Sequence, residues 1–375
     1  MGEAIDISVY ETDFDSVDGN VEMSSEFSTE CEYKLPRHFR CASHTLNLIA
    51  TTDSLKAINN SKRLKKKYFK AIDKCSSLWK CLRSPKKYES LKIYLGISLK
   101  RPIVTRWNST FDCISQLLTV QDKLLDNNEL KLPKAFNSSD IQFLKEFVRC
   151  SKPLACAIDR LQADKSYYGV LPTLISLKYD LKNFIADEIV VDCKPLAEAI
   201  IKGVDERFQK LFDPSQLDAD PFIAAISHPQ FKGRWLTSFT EEEQKLVHQR
   251  FSEVVSAETF SESMTGDHEN VMDDFNFGES TSAIPEFQPS LSQGESAAEV
   301  ARYLKSRDTG LKMLEKFASI RKVFLKCDTP LPSSAPAERL FIHVTMMNLP
   351  RYNRLTDEHF EKRVLCKVNA AKSYS

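Results

Sequence analysis

The sequence predicts a mainly α-helical fold. Apolar residues recur three and four positions apart along most of the chain, Ser/Thr-x-x-Glu boxes stand ahead of such runs, and period-two alternation is almost absent. Hydrophobic residues make up 42% of the 375 positions, enough for a sizeable core spread over two or three units.

Residues 1–33 carry ten Asp or Glu and no Lys or Arg, with few large apolar side chains, so the reading is an acidic, disordered leader ending near residue 34. Leu46, Leu48 and Ile49 begin the first expected helix. From residue 54 to 101 the balance reverses, with fifteen Lys or Arg against Asp73 and Glu89. The formal net charge of zero therefore hides segregated blocks. Lys62, Arg63, Lys65, Lys66 and Lys67, followed by Tyr68, Ile72, Cys75 and Trp79, predict a helix with one cationic and one apolar face.

Further helices are expected from Ile141, Leu144, Phe147 and Val148, from Leu174, Leu177, Leu181 and Ile185, and from Ile200, Ile201, Val204, Phe208 and Leu211. Thr240 with Glu243 reads as a capping box ahead of Leu246, Val247, Phe251 and Val254, and Ser296 with Glu299 as another ahead of Tyr303 and Leu304. Residues 258–295 are rich in Ser, Glu, Asp and Gly, with Pro285 and Pro289, and read as an acidic disordered linker. The strand candidates are Ile103, Val104 and Thr105, and more weakly residues 188–192.

Ten unevenly spaced cysteines and no N-terminal apolar run point to reduced thiols in the cytosol or nucleus. No stretch reaches the roughly 18 apolar residues of a membrane span, and Asp6 stands where a myristoylation signal needs Ser or Thr. The expectation is a soluble protein with no membrane partner and no small-molecule substrate.

Three motifs carry candidate chemistry. In Arg40-Cys41-Ala42-Ser43-His44-Thr45, Cys41 and His44 could share one side of a helical turn. Structural zinc needs four ligands, and no second Cys/His pair stands at finger spacing, which favours a packed Cys-x-x-His turn over a metal site. In Thr105-Arg106-Trp107-Asn108-Ser109-Thr110 a cation adjoins a large aromatic. Trp107 could stack on a base, but on the residues alone burial is the better reading. In Pro332-Ser333-Ser334-Ala335-Pro336-Ala337-Glu338-Arg339-Leu340-Phe341, Glu338 falls in the first turns of a helix, where the dipole favours an anion. Leu355 then leads into Thr356-Asp357-Glu358, a helix start, followed by an apolar stripe of Phe360, Val364, Leu365 and Val368.

In this order the motifs resemble the hAT superfamily of transposases and the genes domesticated from it, from about residue 35 to the C-terminus. Lys152-Pro153-Leu154 with Asp159-Arg160-Leu161-Gln162, Tyr168-Gly169-Val170-Leu171-Pro172-Thr173-Leu174, and His228-Pro229-Gln230-Phe231-Lys232 with Trp235 look like landmarks of that family's helical insertion domain.

The resemblance implies a split RNase H-like core remnant with the basic helical region (residues 35–114), a helical insertion domain (115–257), the acidic linker (258–295) and a C-terminal dimerisation region (296–375). It makes Glu338 the counterpart of the last carboxylate of a DDE set that holds two divalent metals. It gives Cys41 and His44 a structural role, and Arg106 and Trp107 a role in handling DNA. Leu340, Phe341, Leu355, Phe360, Val364, Leu365 and Val368 become dimerisation candidates.

Neither Asp of the DDE set has a convincing counterpart, and one carboxylate cannot hold two metals. The expected protein is therefore catalytically inactive and transposase-derived, a nuclear homodimer with no cofactor. Non-specific DNA contact is expected through Lys62, Arg63, Lys65, Lys66, Lys67, Arg106 and Trp107. The alternative is an active DDE transposase, using magnesium or manganese, whose catalytic N-terminal part is missing or unrecognised.

Overall fold

A computed structural model describes residues 41–103, 107–126, 132–162, 169–215, 220–264, 293–328, 333–334, 340–341, 344–345 and 356–372, all within one unit from Arg40 to Ser375. The acidic leader, Val104, Thr105, Arg106, Glu338, Leu355 and residues 265–292 lie outside them. Among the described residues the fold is helical throughout, with no strand.

The chain enters through α1 (Ala42–Leu48), a π-helical turn (Ile49–Asp53) and α2 (Ser54–Asn60). α3 (Lys62–Cys81) starts at Ser61, whose hydroxyl accepts from the Leu64 amide at 3.4 Å. α4 (Pro85–Leu95) has proline at its first position and ends on Gly96 at φ 77°, a left-handed cap that glycine adopts without strain. α5 (Trp107–Leu118) and the short α6 (Gln121–Leu125) follow.

The long α7 (Ser138–Gln162), α8 (Val170–Ala186) and α9 (Lys194–Arg207) carry the first core, against which α1, α2, α3 and α5 pack. The leucine and isoleucine spacings read from the sequence supply its buried faces: Ile141, Leu144 and Phe147 on α7, Leu174, Leu177 and Leu181 on α8, Ile200 and Val204 on α9. Gly203 lets α9 approach the π-helical turn closely, since a Cβ there would stand 3.0 Å from Asp53 and 3.2 Å from Ile49. Arg207 then grips Asp53 with two hydrogen bonds of 2.7 and 3.0 Å.

A second core joins α10 (Asp220–Ser227), α11 (Glu241–Met264), α12 (Gln293–Lys305) and α13 (Ala318–Asp328). Phe222, Phe251, Tyr303, Val323 and Phe324 fill it, and Leu171 at the start of α8 belongs to it too, so α8 is a wall common to both cores. α12 and α13 are thereby part of the central helical body, although residues 296–328 are assigned by the resemblance to a separate C-terminal region. The Tyr303 hydroxyl donates to the carbonyl of Ser227 at 2.5 Å, and the Lys232 ammonium donates to those of Ser306 and Asp308, both at 2.6 Å. The landmark around residues 228–235 is thus a staple. His228 packs against Phe231 and Phe324, and Trp235 against Phe222 and Phe239.

Three sequence expectations change. Residues 188–192 are a turn, not a strand. Asp187 accepts from the Ile189 amide at 2.9 Å, and the buried Glu146 carboxylate of α7 accepts from three successive amides, Val191 at 3.1 Å and Asp192 and Cys193 at 2.6 Å. Those three bonds fix the turn that leads into α9 and leave no ladder for a strand. The Thr240–Glu243 box forms as read, but α11 continues to Met264, because Val247, Phe251 and Val255 face the core and Glu258 pairs with Lys326 of α13 at 2.6 Å. Ser296 and Glu299 do not open a helix: α12 begins earlier, at Gln293, and both side chains are buried inside it.

Burial pushes the His228 imidazole down to about 4. A depressed histidine contributes stability that is complete above its unfolded value near 6.5 and is lost as pH falls towards 4. Urea melts between pH 7.5 and 4 should therefore show a loss of up to about 3 kcal/mol over that window, and His228→Phe should flatten it.

Candidate nucleic-acid interface

α3 carries its cations on two different surfaces. Arg63, Lys67, Lys70 and Lys74 recur at i, i+4, i+7 and i+11, so they line one flank of the helix. Leu64, Ala71, Cys75 and Leu78 form the buried face, and Lys62, Lys65 and Lys66 point outward with Phe69.

The flank is consumed inside the chain. Asp192 accepts from Arg63 at 2.7 Å and from Lys67 at 2.6 Å, and Asp140 at the start of α7 accepts from Lys70 at 3.2 Å and from Lys74. Both carboxylates are nearly closed off, with side-chain exposures of 6% for Asp192 and 4% for Asp140. Burial by itself would raise the Asp140 carboxyl, but hydrogen bonds from Lys74, the Asn137 amide and Lys70 outweigh it and hold the group below its ordinary range.

The outer surface is free of such partners. Lys62, Lys65 and Lys66, with Lys80, Arg83, Lys86 and Lys87 beyond them along α3 and α4, are exposed and have no carboxylate partner among the described residues. Of the five α3 cations expected to meet DNA, the structure leaves Lys62, Lys65 and Lys66 available and ties Arg63 and Lys67 to Asp192. Sequence reasoning missed Asp140, Asp192 and Glu146; the regular spacing of the flank cations was its one visible trace.

Trp107 is half-buried and stacks on Phe111 with ring centroids 6.2 Å apart. Its neighbour Asn108 ties α5 to α7, donating to the Ala155 carbonyl at 3.1 Å and to Asp159 at 2.6 Å. The motif therefore docks two helices. Cys41 caps α1, its sulfur accepting from the His44 amide at 3.4 Å, while the His44 ring is exposed. The same sulfur lies 3.9 Å from the Ser333 hydroxyl and accepts from the Ser334 amide at 3.4 Å, across 292 and 293 residues of chain. Burial pushes this thiol up, yet the bonds with Ser334, His44 and Ser333 prevail and leave it below its ordinary value.

The dimerisation candidates divide as well. Leu340, Phe341 and Leu365 are exposed, Phe360 is half-buried, and Val364 is buried against the chain itself on α14 (Asp357–Lys372). Val364 therefore serves internal packing rather than an open surface; nothing is described of the Val368 side chain. Among the described residues no three His, Cys, Asp or Glu side chains converge on a point, and no helix is long and apolar enough to cross a membrane.

Because removing the flank cations strands a buried carboxylate, Arg63→Gln with Lys67→Gln should lower stability by about 2–4 kcal/mol in urea denaturation. Lys65→Gln with Lys66→Gln should stay within about 0.5 kcal/mol of wild type.

A comparison with protein-family models finds none that matches this chain, and a comparison with curated proteins finds no match either.

Proposed function

We propose that this chain is a hAT-transposase-derived, non-catalytic protein that binds the phosphate backbone of DNA through the outer surface of α3 and α4 and self-associates through its C-terminal region. The main support is the partition of α3. Four cations satisfy buried carboxylates, and those left over are exposed with no carboxylate partner among the described residues. Such a surface matches repeating negative charge and has no device for reading bases.

Ancestry draws support from the Cys41–Ser334 contact. A core split by a large helical insertion needs its two halves to meet across the insertion, and here the Cys-x-x-His turn touches the segment that leads to Glu338. The non-catalytic reading rests on the sequence, in which neither Asp of the DDE set has a convincing counterpart. Leu340, Phe341 and Leu365, with Leu311 and Leu325, are exposed apolar groups of the C-terminal region among the described residues.

Fluorescence anisotropy of a labelled 20-base-pair duplex against salt concentration tests the DNA half. Log affinity should fall steeply with log salt, by about 0.9 per phosphate neutralised. Replacing Lys62, Lys65 and Lys66 by Gln should weaken binding of unrelated sequences alike and lower that slope by about 2 to 3. A salt-independent affinity, or an unchanged slope in the triple variant, would refute the interface.

A further inference from the structure

α7 and α8 pack side by side, and a groove of about 350 Å³ opens between them. Its size is that of a small-ligand site, far above the roughly 30 Å³ of one water. The α7 wall carries Lys152 and Arg160, two turns apart or ~12 Å along the axis. Both are exposed and neither has an ion-pair partner among the described residues.

The α8 wall faces them with Thr173 and Ser176. Thr173 is the telling residue: it is only 7% exposed, lines the groove, and its hydroxyl has no hydrogen-bond partner among the described residues. A threonine turned into its own helix would have bonded the carbonyl four residues back, as Thr45 and Thr51 do. Pro153, also in the wall, has no N–H for the Arg149 carbonyl, so the α7 ladder is open at this place. Arg149 is already committed to Asp187 and to the face of Phe184, and it closes one end without offering a free charge.

We propose that this groove is a binding site for a phosphoryl group, held by Lys152 and Arg160 from its two ends and by the hydroxyls of Thr173 and Ser176 between them. Long cationic side chains fold in from either side, and a phosphate accepts from hydroxyl and guanidinium donors at once. Asp180 at the rim opposes a bare dianion and accepts from a donor elsewhere on the ligand. Lys152, Pro153 and Arg160 of one stretch singled out in the sequence and Thr173 of another thus line one pocket. The phosphoryl group comes either from a free phosphate compound or from a nucleic-acid backbone. Only the second source rests on the DNA-binding function proposed above.

Calorimetric titration of the full chain with inorganic phosphate and with adenosine monophosphate tests the first source. Binding is expected, with Lys152→Gln plus Arg160→Gln weakening it at least tenfold, Thr173→Val several-fold, and Asp180→Asn tightening it for inorganic phosphate. For the second source neither compound binds, but the same double variant lowers the salt slope of duplex binding by about 2, with Lys62, Lys65 and Lys66 intact. Unchanged thermal melting of the variants certifies folding, which exposed Lys152 and Arg160 permit. The site is overturned if neither compound binds and the slope is unchanged, or if the double variant binds phosphate as well as wild type. A chain that binds phosphate but no DNA keeps this site and loses the function proposed above.

Discussion

Two buried carboxylates organise the first half of this molecule. Asp140 and Asp192 sit where water has little access, and each is tolerable only because two α3 cations reach it. Asp192 is presented by a loop that Glu146 holds through three backbone amides. That loop leads into α9, and α9 closes on the π-helical turn and α2 through Gly203 and the Arg207–Asp53 pair. The position of α3, the start of α9 and the packing of α2 are therefore linked through charge as well as apolar burial.

This linkage decides what α3 can offer outside. A helix rich in lysine reads as uniformly sticky towards phosphate, yet half of its charge is internal structure here. The cations that remain on α3, like Lys86 and Lys87 of α4, are exposed, and the boundary between the two α3 sets runs along the helix axis. The second core is built differently. Aromatic side chains around Tyr303 and Phe251 dominate it, and its polar ties run from side chain to backbone carbonyl, as with Lys232 and Tyr303.

The helices were legible in the sequence because spacing alone reports a buried stripe, as along Leu174, Leu177 and Leu181. What misled was local chemistry overruled by distant partners. Ile189, Val190 and Val191 have strand-forming side chains, but Asp187 takes the amides of the first two and Glu146, 45 residues from Val191, takes that of the third. Glu258 looked like linker until Lys326 gave it a reason to stay helical. Ser296 and Glu299 have cap spacing and no way of announcing that both would be buried. For the site, the cationic character of α3 was readable, whereas its division was not, since the acceptors for Lys74 and Arg63 lie 66 and 129 residues away. The α7–α8 groove was equally hidden, because an unbonded Thr173 hydroxyl exists only once the two helices pack.

The division of the α3 lysines is open to direct measurement by amine labelling of the native protein, read residue by residue in a mass spectrometer with and without duplex DNA. Lys62, Lys65 and Lys66 are expected to react fast and to become protected by DNA. Lys67 and Lys74, engaged with Asp192 and Asp140, are expected to react slowly in either case. Labelling of Lys67 and Lys74 at the rate of Lys65 and Lys66, or protection by DNA that spares Lys62, Lys65 and Lys66, would contradict the division on which the proposed interface stands.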